Sequence, residues 1–330
     1  MSKFVVAVDV GATNLRASIF TLDGGQLKTL TVRTPTEGHR DTIAELIYEL
    51  VIKLVDDLGL SLKELQGIGV GSIGPLNIRA GEVVNTPNLP IKNFRLRKPL
   101  IELFNTSRVY VVNDCVAAVW GERNFGLGIG VSNLVYLTIS TGVGAGVIVD
   151  GNLLLGKDGN AHEVGHLVVR YDGIRCGCGG IGHWEAYVSG NAIPKYVRYY
   201  VSTVGYRRRS RVSELLDHGD VSPEEFFKLV RDGDELAVEI CNTLCVINAA
   251  GLASVINAYD PELISVGGSV ALNNYDLIIE PSTKYLGNYV INRVPRIAPT
   301  AFGKDSVLVG AASLVINPPK ELLRIYGESA

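Results

Sequence analysis

The chain has 330 residues, with 31 basic and 34 acidic side chains for a formal net charge of −3, and 47% of it is hydrophobic. That length suits two domains better than one core. The near-neutral balance removes the electrostatic reason to expect nucleic acid or an anionic membrane as a main partner, and the one basic run, Arg207 to Arg209, reads as a solvated turn.

In chain order, Met1-Ser2-Lys3 leads into the apolar run Phe4 to Val8, which ends at Asp9. The run is too short for a signal peptide or a membrane span, so a cytoplasmic protein is expected. It predicts a buried strand, followed by the turn Asp9-Val10-Gly11-Ala12-Thr13-Asn14, a second strand from Arg16 to Phe20, an Asp23-Gly24-Gly25 hairpin and a third strand from Gln26 to Val32. Gly11 lets backbone approach a phosphate, Thr13 and Asn14 can donate hydrogen bonds, and Asp9 could hold Mg²⁺ through water. Taken alone, a plain hairpin with an Asp cap explains these residues equally well.

Asp41 to Leu58 carries Ile43, Leu46, Ile47, Leu50, Val51 and Leu54 at helical spacing. Strands are predicted over Gly67 to Ile73 and Arg108 to Val112, the latter closed by Asn113-Asp114 before a helix from Cys115 to Phe125. Sites in α/β sheets gather at the carboxyl ends of strands, and Asp114 there could accept a hydroxyl proton. From those two residues alone a simple helix N-cap is the preferred reading.

Leu134 to Leu155 repeats the opening pattern of strand, glycine-rich turn, strand, Asp-Gly hairpin and strand. Its turn, Thr141-Gly142-Val143-Gly144-Ala145-Gly146, can turn consecutive N–H groups toward an anion. Two such turns in echoed copies suit the gripping of one polyphosphate, and no GxxxxGK[ST] loop is present. Further on, Ala237 to Asn257 reads as a long buried helix, and Leu263 to Val266 as a strand ending at Gly267-Gly268. Alternating strands and helices predict an α/β architecture. The boundary is expected near residue 112, giving a smaller domain over 1–112 and a larger one over 113–314, with about 315–330 packing back on the first.

The densest polar cluster is Glu163-Val164-Gly165-His166 with Cys176-Gly177-Cys178 and His183-Trp184-Glu185. His166, Cys176, Cys178 and His183 form a Cys₂His₂ ligand set suited to zinc, and the flanking glycines permit a tight wrap. His162 reads as a bystander. An odd count of five cysteines without a secreted framework fits free thiols and a metal site better than disulfides.

With these residues in place the chain resembles the ROK family (repressor, open reading frame, kinase). The matching stretches are Asp9 to Arg16, Gly67 to Gly81, Thr86 to Pro90, Asn113-Asp114, Thr141 to Gly146, Glu163 to His166, Cys176 to Glu185, and Asp260 to Ile264 with Gly267-Gly268. The ExGH and CxCGxxG elements are specific to that family; the two turns are shared with the wider actin-like kinases. The resemblance implies a two-domain actin-like (ribonuclease H-like) ATPase fold with a duplicated core and an interdomain cleft. It implies ATP-dependent phosphorylation of a hexose, glucose first. The alternatives are a kinase for N-acetylmannosamine, fructose or mannose, or a non-catalytic sugar-sensing member.

By motif, Asp114 would be the base. Asn88, Asn113, Asp114, Glu163, His166 and Glu185 would hold the sugar. Asp9, Gly11, Thr13, Asn14, Thr141, Gly142, Gly144, Gly267, Gly268 and Ser269 would lie against ATP with its Mg²⁺. His166 would give one ring nitrogen to Zn²⁺ and the other to the sugar. The chain departs from the family where His183 replaces the usual third cysteine. Family repressors carry an N-terminal DNA-binding domain, and a first strand at Phe4 leaves no room for one, so a catalyst is expected. A homodimer or larger homo-oligomer is the expected state.

Overall fold

The valine-rich stretch from Phe4 has no polar side chain before Asp9, and a strand apolar on both faces belongs inside a sheet. The computed structural model describes residues 3–84, 86, 89–204 and 210–327. In chain order its elements are β1 (Phe4–Val10), β2 (Asn14–Thr21), β3 (Gln26–Arg33), α1 (Thr42–Asp57), β4 (Leu65–Ser72), the short ribbon of β5 (Leu76–Asn77) and β6 (Glu82–Val83), α2 (Arg97–Phe104), β7 (Val109–Asn113), α3 (Asp114–Phe125), β8 (Leu134–Ile139), β9 (Val143–Val149) and β10 (Asn152–Leu153). They continue with α4 (Glu185–Val188), α5 (Ile193–Val204), α6 (Arg211–Leu216), α7 (Pro223–Arg231), α8 (Glu235–Tyr259), β11 (Leu263–Gly267), α9 (Ser269–Asn273), α10 (Glu280–Thr283), β12 (Arg296–Pro299), α11 (Ser306–Ile316) and α12 (Lys320–Tyr326).

One sheet has the order β3-β2-β1-β4-β7 and the other β10-β9-β8-β11-β12. Matched position by position, the two orders are the same, which is the echo seen in the sequence. β1 pairs antiparallel with β2 and parallel with β4, and β4 runs parallel to β7. The register sets Val10 against Ser72 and Ser72 against Asn113. The carboxyl ends of three parallel strands therefore meet at one edge, where the first turn and Asn113-Asp114 emerge.

Two compact units interleave along the chain: residues 1–136, 146–162 and 300–330 form one, and 137–145 and 163–299 the other. In the first unit, the apolar stripe of α1 (Ile43, Ile47, Leu50, Val51, Leu54) closes one face of the sheet over Val6, Val8 and Val70. α11 packs on α3, β1 and β4, so the end of the chain completes this core. The Tyr326 hydroxyl of α12 donates to the carbonyl of Ile78 at 3.0 Å and lies 3.3 Å from that of Val111.

In the second unit, α8 is capped by the Asp234 carboxylate on the Ala237 N–H and stops at Asp260, in left-handed conformation (φ 44°), before Pro261. By length and composition α8 could cross a membrane, yet Leu236, Ile240, Leu244, Leu252 and Ile256 on it are buried in the unit. That burial explains why its sequence is apolar all round.

Candidate active site

Within the first unit the turn after β1 is built mainly by backbone. The Gly11 N–H donates to the Asn14 carbonyl at 3.0 Å, and Thr34 donates to the Gly11 carbonyl through its hydroxyl (2.7 Å) and to the Thr13 carbonyl through its N–H (3.0 Å). The Thr13 and Asn14 side chains are thereby left exposed. Asp9 sits beneath them with the Arg16 guanidinium 3.8 Å away. Arg16 is anchored in turn on the Asp305 carboxylate and on the Lys304 carbonyl (2.7 Å). Burial, and next the Asp114 carboxylate, push the Asp9 carboxyl up to about 7, with Arg16 opposing. A buried carboxyl held so far from its usual range, beside a second carboxyl, fits a divalent cation that would relieve both.

Asn113 and Asp114 occupy the edge where β7 ends. The Asn113 Oδ1 accepts from the Cys115 N–H at 2.9 Å and so caps α3, as the plain reading of these residues expects. Asp114 Oδ1 accepts from the same N–H at 2.8 Å. Burial raises the Asp114 carboxyl, while hydrogen bonds from Cys115 and Asn113 pull the other way. Desolvation strengthens it as a base, and the bonds at the helix start keep the ionised form accessible.

Within the second unit His166, Cys176, Cys178 and His183 converge, with their ligand atoms all within 4.8 Å of one another. His166 Nδ1 and His183 Nδ1 are 3.3 Å apart, and Cys178 Sγ is 3.2 Å from His183 Nδ1. Zn–N and Zn–S bonds of about 2.0 and 2.3 Å in a tetrahedron set such pairs about 3.3–3.5 Å apart, so these two contacts come near the edges a zinc site would require. Burial pushes the Cys176 thiol up to about 11 and the His183 ring below its usual range.

The wrap is held by backbone bonds: Cys176 N to the Gly180 carbonyl (2.8 Å), Gly179 N to the Cys176 carbonyl (2.9 Å) and Gly182 N to the Ile174 carbonyl (2.9 Å). The buried Tyr187 hydroxyl accepts from the Ile174 N–H at 3.0 Å. Between His183 and Glu185, the fully buried Trp184 donates through Nε1 to Asn248 of α8 at 3.0 Å. His166 presents its other nitrogen, Nε2, toward the exposed Glu163 carboxylate at 3.9 Å.

The Ser140–Ala145 turn lies in the same unit. Glu185 opens α4, and its Oε2 also accepts from the Val143 N–H at 3.0 Å, a bond that sequence reasoning did not anticipate. Gly267 is buried in β11, while Gly268 (φ 89°) caps α9 with its Cα against the Ile139 carbonyl, close to the same turn. Ser269 is exposed there. Gly146, in the first unit, is buried against the Cys115 carbonyl, where a Cβ would collide; it is a packing glycine. Thr141 is exposed, and Gly142 and Gly144 are half-buried. Asn88 and the run Arg207 to Arg209 lie outside the described residues. Arg16 with Asp305, and Trp184 with Asn248, are the supports that local sequence pattern did not reveal.

A model of the ROK family matches residues 5–317. A glucokinase of Pyrobaculum calidifontis is 42% identical over 99% of each chain. A ROK hexokinase structure from Thermus thermophilus superposes with a TM-score of 0.76 at 31% identity, covering 94% of this chain and 97% of that one. A ROK family glucokinase from Streptomyces griseus, solved in complex with glucose and AMPPNP, gives a TM-score of 0.76 at 29% identity over 94% of this chain and 98% of that one. The two repeated sheets are thus those of the actin-like ATPase fold. The motifs, the convergent His/Cys cluster and a family match over nearly the whole chain lead to one conclusion: the chain belongs to the ROK family.

Proposed function

We infer that this chain transfers the γ-phosphate of ATP to a hydroxyl of glucose. The observation that carries the reading is Asp114 at the carboxyl edge of β7, desolvated yet hydrogen-bonded at a helix start, in a chain 42% identical over nearly its full length to a glucokinase. In this reading Asp114 accepts the proton of the primary hydroxyl as its oxygen attacks phosphorus. Asn113, Glu163, His166 and Glu185 hold the sugar hydroxyls, where carboxylates suit a polyol far better than an apolar ligand. Amides of the two glycine-rich turns, with Gly267, Gly268 and Ser269, receive the nucleotide. Mg²⁺ bound with ATP near Asp9 would neutralise charge on the phosphates.

Zinc on His166, Cys176, Cys178 and His183 would be structural, closing four ligands around the ion and fixing Nδ1 of His166 so that Nε2 faces the sugar. Protein never exposed to chelator should contain about one zinc per chain by elemental analysis. A metal-free result in folded, active protein would remove zinc from the account. The catalytic reading is tested by a coupled ADP-release assay across glucose, mannose, fructose and N-acetylmannosamine. Glucose should give the highest kcat/KM; a higher value for another hexose would reassign the substrate.

A further inference from the structure

The second glycine-rich turn is held by the residues assigned above to the sugar. Glu185 Oε2 accepts from the Val143 N–H at 3.0 Å. Five residues on, Gly190 N donates to the Ser140 carbonyl at 2.7 Å and Asn191 N to the Thr141 carbonyl at 3.3 Å. From the other side Gly165, between Glu163 and His166, lies so close to Val143 that a Cβ there would collide with the Val143 carbonyl oxygen. Val143 itself is buried. Both segments of the sugar clamp therefore press on one residue of the turn.

We propose that Glu185 is a positioning residue for the Ser140–Ala145 turn as well as a sugar ligand, so that hexose and nucleotide binding are coupled through Val143. The proposal rests on the nucleotide reading of that turn. Physically, a carboxylate has two oxygens and can serve two donors at once. Oε2 is committed to the Val143 amide, and among the described residues Oε1 has the Cys176 thiol at 3.9 Å. A hydroxyl arriving at Oε1 fixes the carboxylate, and with it the amide that orients the turn. A phosphate drawing on the turn fixes the carboxylate for the sugar. Any such coupling is reciprocal, because each ligand must change the other's affinity by the same factor.

The test is calorimetric titration of Mg-AMPPNP with no hexose present. Glu185→Gln retains an amide oxygen that can accept from Val143, so it should bind the analogue within about twofold of the parent chain while losing glucose affinity about tenfold. Glu185→Ala removes the acceptor and should weaken the analogue about fivefold or more, although no sugar is in the cell. A residue that only contacts sugar would leave both titrations unchanged, and parent-like binding by Glu185→Ala overturns the coupling alone. Absence of analogue binding by the parent chain overturns the nucleotide reading itself. Should Glu185→Ala fail to fold, Gly142→Ala gives the reverse test, since its Cβ would lie 2.6 Å from Glu185 Oε2. It should weaken glucose about fivefold or more with no nucleotide present; unchanged glucose affinity refutes the proposal.

Discussion

The two glycine-rich turns occupy equivalent places in sheets of the same strand order, yet they are supported in different ways. The first is stiffened by its own backbone and Thr34, and beneath it lies a charged set of Asp9, Arg16 and Asp305. The second has no charged residue between Ser140 and Ala145, and it leans on Glu185 and Gly165. Duplication preserved the hairpin and not its supports. One copy sets carboxylates beside its turn, and the other offers neutral amides that lean on Glu185 and the segment of Gly165. Changes at the first should act through charge and proton balance, and changes at the second through ligand affinity.

The largest effect is expected beside the first turn. Asp114→Asn keeps the shape of the side chain but cannot take the proton, so kcat should fall by roughly 10²–10⁴ with glucose binding retained. A variant keeping parental turnover removes Asp114 as the base and leaves this edge a charge site only. In the second turn Gly144→Val should raise the KM for ATP by about tenfold or more and that for glucose much less, because a branched side chain blocks approach of phosphate to the amides. Equal change in both constants would show that the substitution deforms the whole unit.

The smallest effect separates the turns by pH. Burial and the Asp114 carboxylate raise the folded Asp9 carboxyl to about 7, against the ordinary 3.8 of an exposed carboxyl in the unfolded chain. Between those values the fold binds more protons than the unfolded chain, so stability from this group is lost as pH rises. Asp9→Asn removes that cost. Its Tm advantage over the parent, without ATP or metal, should grow by on the order of 2–4 °C from pH 5 to pH 8. A constant difference across that range would mean that Arg16 keeps Asp9 ionised throughout.

Local pattern carried much of the fold. The spacing of Ile43, Ile47, Leu50, Val51 and Leu54 predicts a helix over Asp41 to Leu58, and α1 spans Thr42–Asp57. The apolar runs at Phe4, Leu134 and Leu263 became β1, β8 and β11 because a buried strand needs only continuous hydrophobicity and a glycine to stop it. The His/Cys cluster was legible for a related reason: its ligands and the glycines that let the chain wrap around them lie within one short stretch. The supports were not legible, because they join residues far apart. Val143 and Glu185 are separated by 42 positions, Trp184 and Asn248 by 64, and Arg16 and Asp305 by 289. Such pairs leave no period in the sequence. Gly146 shows the opposite limit, since one local motif can contain glycines needed for different reasons, here helix packing.

The central claim, that this chain is a catalyst of phosphoryl transfer to glucose, is tested most directly by ³¹P NMR of purified protein with Mg-ATP and glucose. The account predicts that the γ-phosphate signal of ATP is replaced by a sugar monophosphate ester in step with the appearance of ADP, and that omitting glucose halts the loss of ATP. Glucose that binds while ATP stays intact, or ATP that is converted to ADP and inorganic phosphate with no ester formed, would contradict it.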